Sequence, residues 1–271
     1  MKTIAHLSDL HFGRTDGKVV DALLADLHCH RPDIVIISGD LTQRARTHQF
    51  AEARAFLSRV PAPTLVVPGN HDLYPLYRPL ARLFRPRDKF HRNLPGHDAL
   101  PVWKDETLVA IGLDSTRSLR WKSGALKESH LDHLELTLAQ APENATRVVF
   151  LHHPPWEAPS GHPYEVLVTH GIDLVLSGHV HHARVELVNG IHGGSLVLVQ
   201  ASTACSTRLR EDSNGYCLVR LDGDHMEVGV QGWSGDIFHT VRHHWFEKRM
   251  GTWRMIPHPA HVFPVLTPFP A

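Results

Sequence analysis

Cysteine is scarce in this 271-residue chain. The three thiols, Cys29, Cys205 and Cys217, are odd in number and far apart, which excludes a fully paired disulfide framework and the C-x-x-C spacing of a zinc ribbon or redox pair. A reducing compartment is the simple expectation. Excess charge is missing as well: 28 Lys plus Arg offset 28 Asp plus Glu, so no global field draws the protein to nucleic acid or to an anionic membrane, and any cationic work is local. No apolar run approaches the roughly 20 residues of a membrane span. The run after Met1-Lys2 is too short for the apolar core of a signal peptide. Together these absences predict a cytoplasmic protein without a transmembrane segment. Neither a P-loop nor G-x-S-x-G occurs, which removes a phosphate-cradling loop and a serine nucleophile elbow.

Histidine is in excess, with 24 residues, and its placement is ordered. Short apolar runs of strand length stop at polar clusters containing Asp, Asn or His. Ile4 to Leu7 precedes Asp9 and His11; Ile34 to Ile37 precedes Gly39-Asp40; Leu65 to Val67 precedes Gly69-Asn70-His71-Asp72. Val148 to Leu151 then precedes His152, and Leu174 to Leu176 precedes Gly178-His179-x-His181. Such endings read as strands feeding loops.

Between the runs, Lys18 to His30, Thr47 to Arg59 and Glu128 to Ala139 place Leu, Phe or Ala at helical spacing, giving strand-helix alternation. The runs Ser195 to Gln200, Gly215 to Leu221 and Met226 to Gln231 lack intervening helices and read as meander strands. The expectation is a layered α/β fold with a mixed sheet or two packed sheets. Residues 73–101, rich in Pro and Arg, read as an irregular insertion. One domain is expected over 1–254, followed by a Pro-rich extended tail over 255–271. Trp233, Phe238, Trp245, Phe246 and Trp253 read as core packing under that tail.

Ligands of open α/β sheets gather beyond the carboxyl ends of the strands, so five strand ends bearing metal-type ligands can form one site. Asp9-x-His11 and His179-x-His181 are i, i+2 pairs, and in extended backbone both members point to one side. By the same alternation, His153 and His182 point away. The glycines before Asp40 and Asn70 leave room for close backbone approach. Any one such motif is more often structural; the ordered set D-x-H, G-D, G-N-H-D, strand-final His and G-H-x-H resembles the calcineurin-like metallophosphoesterase superfamily over about residues 3–182.

That resemblance implies a β-sandwich of two mixed sheets flanked by helices, and two divalent metal ions. It assigns Asp9, His11 and His181 to one ion, Asn70, His152 and His179 to the other, and Asp40 to both. It implies hydrolysis of a phosphate ester by a metal-bridging hydroxide, with His71 as the catalytic proton donor or charge stabiliser. An all-N/O ligand set suits manganese, iron, cobalt or zinc alike, and the resemblance implies manganese or iron first.

The flanks ISDLHFG, SGDLTQ, VPGNHDLY and LSGHVHHA look like those of bacterial class III cyclic nucleotide phosphodiesterases, whereas Gly39-Asp40-Leu41-Thr42-Gln43 lacks the second aspartate of protein phosphatases. The expected activity is therefore a phosphodiesterase on cyclic or linear nucleotide-type diesters. The alternatives are a pyrophosphohydrolase on a nucleotide-linked lipid and a catalytically silent metal-binding scaffold. Arg78, Arg82, Arg85 and Arg208 are candidates to bind the substrate. No stable nucleic-acid complex is expected, and a homodimer is left open.

Overall fold

The structure is a computed structural model that describes residues 1–75, 77–97, 100–118, 124–155, 163–210, 212–259 and 262. Its first sheet starts with three parallel strands, β1 (Lys2–Leu7), β2 (Ile34–Ser38) and β3 (Thr64–Val67), joined by α1 (Gly17–His30) and α2 (Thr47–Leu57). The chain then runs through α3 (Pro79–Phe84) and α4 (Asp88–Asn93). A second sheet follows, built from β4 (Val102–Lys104), β5 (Leu108–Gly112), β6 (Thr146–Phe150), β7 (Leu174–Ser177), β8 (Arg184–Asn189) and β9 (Ser195–Gln200), with α5 (Glu128–Leu138) and α6 (Pro163–Thr169) in its connections. Finally β10 (Gly215–Asp222), β11 (His225–Trp233), β12 (Phe238–Arg249) and β13 (Thr252–Ile256) return to the first sheet, β10 pairing antiparallel with β1. The orders are β13-β12-β11-β10-β1-β2-β3 and β4-β5-β6-β7-β9-β8, both mixed.

Side-chain alternation explains why these strands are apolar throughout. In β2, Ile34 and Ile36 face the space between the sheets, while Val35 and Ile37 face Leu23, Leu27, Phe50 and Ala53 of the helices. In β6, Val148 and Phe150 face inward and Val149 packs with Leu134 of α5 and Leu167 of α6. A strand buried on both faces has no polar side to show. The result is four layers, helix, sheet, sheet, helix, as the resemblance implies. Phe246 and Trp253 lie in the core between the sheets, and Phe238 packs with the α1 and α2 side.

Two expectations change. The 73–101 segment is not irregular, since it holds α3 and α4. Three of its cations bind protein: Arg82 Nε and Nη1 donate to the carbonyls of Ser118 and Tyr74, Arg87 pairs with Asp114, and Lys89 Nζ donates to Ala45. The segment expected as a tail from 255 contributes Met255 and Ile256 to β13; residues 260–261 and 263–271 of it lie outside the described residues. Strands β4, β5, β8, β12 and β13 lie beyond what the sequence pattern predicts. The twelve-residue β12 hides because its outward side chains are mostly His, Thr and Arg, which break the apolar alternation.

Candidate metal centre at the strand ends

The carboxyl ends of β1, β2 and β3 in one sheet and of β6 and β7 in the other meet at one edge of the sandwich. The loops there are sewn together by backbone hydrogen bonds: Asp9 N to Gly39 O at 3.2 Å, His11 N to Asp40 O at 2.9 Å, and Gly178 N to His152 O at 3.0 Å. Side chains add to this. His179 N donates to Asp9 Oδ2 at 2.8 Å, joining the two sheets across the site.

All seven expected ligands arrive in one cluster, buried except for the half-buried His179. On one side, His181 Nε2 lies 3.0 Å from Asp9 Oδ1 and 3.1 Å from His11 Nε2. On the other, His152 Nε2 lies 3.1 Å from Asn70 Oδ1 and 3.2 Å from His179 Nδ1. Asp40 stands between them. Its Oδ1 accepts from His71 N at 2.8 Å, while Oδ2 faces His11 Nε2 at 3.8 Å and His152 Nε2 at 3.5 Å. Asp9-His11-His181 and Asp9-Asp40-His152 are among the triads close enough to hold one cation.

The ring nitrogens test whether the donor set fits a metal. His152 Nδ1 lies 2.8 Å from Ser38 O, a carbonyl that can only accept, so the Nδ1 proton is committed there. His181 Nδ1 is committed to Arg208 O in the same way, at 3.1 Å. Each ring therefore turns Nε2 inward, and a neutral ring has no proton left on that atom. Asp9 Oδ1 gains a hydrogen bond from His181 only if that ring carries a second proton; otherwise it is a buried orphan. The set consists of converging lone pairs, and among the described residues no Lys or Arg stands within it, which is the chemistry of a cation site. Protons answer it in part: burial works against a charged His152, but Asp40 and Asp9 hold it up at about 10, and Asp9 likewise raises His181.

The backbone reason for convergence differs from the expected one. Asp9, His11, Asp40, His179 and His181 have φ of 52°, 52°, 53°, 73° and 60°, so the i, i+2 pairs are not extended. Left-handed backbone at a non-glycine residue costs on the order of 1–3 kcal/mol and persists where surroundings over-determine it. Five of the eight such residues described in the chain are in this cluster. The adjoining glycines keep the loops close: a Cβ on Gly69 would sit 2.1 Å from Asp40 Oδ1, and one on Gly178 1.7 Å from Ser8 Oγ. His153 also departs from expectation. Its ring lies 4.5 Å from that of His179, and it joins His152 and His179 in a further triad close enough for one cation, with Ser115 Oγ 3.0 Å from its Nδ1. His182 does turn away, to Asp212.

His71 sits at the rim. Its Nδ1 donates to Gln43 O at 2.7 Å, so Nε2 is the acceptor for Arg208 Nη1 at 3.3 Å. Burial lowers its pKa, and His11 and Arg208 add to that against the pull of Asp40. Of the four arginines expected at the substrate, Arg208 is brought to the site and Arg82 is not: Arg82 is buried against the carbonyls of Ser118 and Tyr74 and acts as a staple. Among the described residues no hydrogen bond or ion pair joins Arg78 or Arg85 to the cluster, and Arg85 lies 4.0 Å from Asp88.

Asp72 is a working residue that the sequence reading does not single out. Its carboxylate accepts from Leu41 N, Thr42 N, Thr42 Oγ1 and Gly69 N at 2.8–3.1 Å, fixing the loops of Asp40 and Asn70 to one another. Burial, with Asp40 second, raises it to about 6. Its signal is the last letter of the G-N-H-D motif.

Comparison with known proteins identifies a family and a fold. A family model described as calcineurin-like phosphoesterase matches residues 2–183. A probable glycerophosphodiester phosphodiesterase of Arcobacter nitrofigilis is 32% identical over 165 residues, covering 56% of this chain and 57% of that protein. A probable cyclic nucleotide phosphodiesterase of Rhodococcus erythropolis is 28% identical over 262 residues, covering 84% and 77%. In fold, the purple acid phosphatase PPD1 of yellow lupin superposes with a TM-score of 0.62 at 12% identity, over 88% of this chain and 52% of that one. The chain thus spans about half the length of the glycerophosphodiesterase relative.

Proposed function

This chain belongs to the calcineurin-like phosphoesterase family, and we propose that it is a dinuclear metal-dependent phosphodiesterase acting on cyclic or linear nucleotide-type diesters. The observation that carries the proposal is Asp40 Oδ2, set between two imidazoles that belong to separate ligand groups. In this reading Asp9, His11 and His181 hold one ion, Asn70, His152 and His179 the other, and Asp40 both. Two divalent ions held there supply charge for the phosphate and lower the pKa of water, with manganese or iron as the first choice.

The chain's own residues do the remaining work. Asp72 and the left-handed loop residues fix the ligand positions before substrate arrives. His71, at the rim of the site, is a positioning residue. Since its Nε2 accepts from Arg208, it enters the reaction as a neutral ring that orients the guanidinium, and Arg208 is the donor for a non-bridging phosphate oxygen. A diester is favoured by the family flanks, by the missing protein-phosphatase aspartate, and by relatives whose names are glycerophosphodiester and cyclic nucleotide phosphodiesterase.

The test is kinetic. With manganese, bis(p-nitrophenyl) phosphate should have a higher kcat/KM than p-nitrophenyl phosphate, and Arg208→Ala should lower kcat/KM for a cyclic nucleotide and for the small aryl diester alike, since both present a non-bridging oxygen. A monoester preference with every metal tried contradicts the diester reading.

A further inference from the structure

Helix α3 is inside out. A surface helix of a soluble domain normally buries its leucines and exposes its arginine, but in Pro79–Phe84 the buried residue is Arg82, 2% exposed, whereas Leu80, Leu83 and Phe84 are 71%, 48% and 74% exposed. At 3.6 residues per turn the three apolar side chains fall within an arc of about 100° and Arg82 lies roughly opposite. Tyr77, one turn earlier and 72% exposed, extends the stripe. The orientation is locked by Arg82 Nε to Ser118 O at 2.6 Å and Nη1 to Tyr74 O at 2.5 Å.

Exposed guanidiniums bracket the stripe. Arg78 is the N-cap residue of α3 and Arg85 its C-cap residue. Among the described residues the Arg78 guanidinium has no hydrogen bond or ion pair, and Arg85 lies 4.0 Å from Asp88, which Arg92 engages more closely at 3.0 Å. Residues 73–101 contain six Lys or Arg against Asp88 and Asp98 in a chain of zero net charge.

We propose that α3 with its flanking arginines is an interfacial contact for an anionic lipid bilayer. Tyr77, Leu80, Leu83 and Phe84 enter the headgroup boundary and Arg78 and Arg85 meet lipid phosphates. Charge decides the occupant. A second copy docking through the same face by two-fold symmetry would bring Arg78 and Arg85 against the same two cations of the other copy, with Asp88, already engaged by Arg92, as the acid beside them. A phosphate-rich surface complements both ends of the stripe and accepts its apolar middle. The inference is independent of which ester the metal centre cleaves.

The experiment is co-sedimentation of the full chain, metal-loaded, with vesicles of phosphatidylglycerol and phosphatidylcholine, or of phosphatidylcholine alone. Binding is expected on the anionic vesicles, several-fold stronger than on the neutral ones and falling with salt. Leu80→Glu with Phe84→Glu should lower it by about tenfold or more while leaving hydrolysis of a small aryl diester unchanged. Arg78→Gln and Arg85→Gln should each cost roughly fivefold on anionic vesicles only. As a check independent of the charge changes, the indole fluorescence introduced by Phe84→Trp should shift to the blue with anionic vesicles. No sedimentation, equal binding to both vesicle types, wild-type binding by the double glutamate variant or an unshifted spectrum of the Phe84→Trp variant overturns the proposal. So does light scattering in which the glutamate variant dissociates an oligomer, which would give the face to self-association.

Discussion

The two ends of the second sheet both carry buried polar groups, and they solve the burial problem in opposite ways. Before β6, β7 and β9 lies a cavity of about 510 Å³ lined by Arg147, Asp173, Lys248 and Trp253 among others. There Asp173 Oδ1 accepts from Lys248 Nζ at 2.7 Å and Trp253 Nε1 at 2.9 Å, and Oδ2 accepts from Arg147 N at 2.9 Å. Each carboxylate oxygen has a protein proton. After β6 and β7, three imidazoles meet two carboxylates, a fourth imidazole and an amide from the strand ends of the first sheet, with no lysine among the seven. Fully answered polar groups stabilise a fold; ligand atoms that converge on one point, as the described members of this cluster do, suit something the protein binds.

The sharpest way to break this contrast is to remove one carboxylate from each end. Asp40→Asn should lose both ions together and depress turnover by at least about 10³-fold. Asp173→Asn should keep metals and turnover and cost about 1–3 kcal/mol of stability, read as a lowered Tm, because one buried acceptor is lost. If both variants lose metal, or neither does, the two ends do not differ in kind.

Next in size is His71→Ala, expected to retain both ions and lose roughly 10²–10⁴-fold in kcat. Comparing leaving groups sharpens it. Equal defects on an aryl and an alkyl ester are expected for a neutral ring that orients Arg208, whereas a much smaller defect on the activated aryl ester would mark a proton donor.

A smaller effect is expected at Asp72. Asp72→Asn should weaken metal affinity by about 10–100-fold, since it loosens two ligand loops without touching the ions. Unchanged affinity would reduce Asp72 to a loop filler.

How much of this is legible in sequence follows from period and order. The ligand-bearing strands are buried on both faces, so their apolar runs stand out, and each run ends one to three residues before its ligand. The order of motifs then identifies all seven candidate ligands. What stays hidden depends on three dimensions. The left-handed φ of Asp9 and His181 leaves no compositional trace, so the i, i+2 argument reaches the right residues by the wrong geometry, and the alternation argument turns away His153, whose ring the structure places beside His179. Arg82 cannot be told from Arg208, because a cation bound to carbonyls and one facing the site read alike in a line of letters. β12 stays hidden behind its polar outer face.

The gentlest perturbation is pH. Burial works against a charged His152, but the site carboxylates hold it up at about 10, so at neutral pH that ring carries a second proton that a bound cation must displace. Metal affinity should therefore rise with pH, about tenfold per unit for each proton released, and flatten as pH approaches 10. Calorimetry in buffers of different ionisation enthalpy counts the protons; a flat profile would mean that the ring binds from the neutral state.

The most direct measurement is a manganese titration of metal-free protein followed by electron paramagnetic resonance. Two ions per chain, magnetically coupled in the native protein, and no bound pair in Asp40→Asn, are expected for a dinuclear centre joined by that carboxylate. A single ion at saturation, or two that never couple, would contradict it.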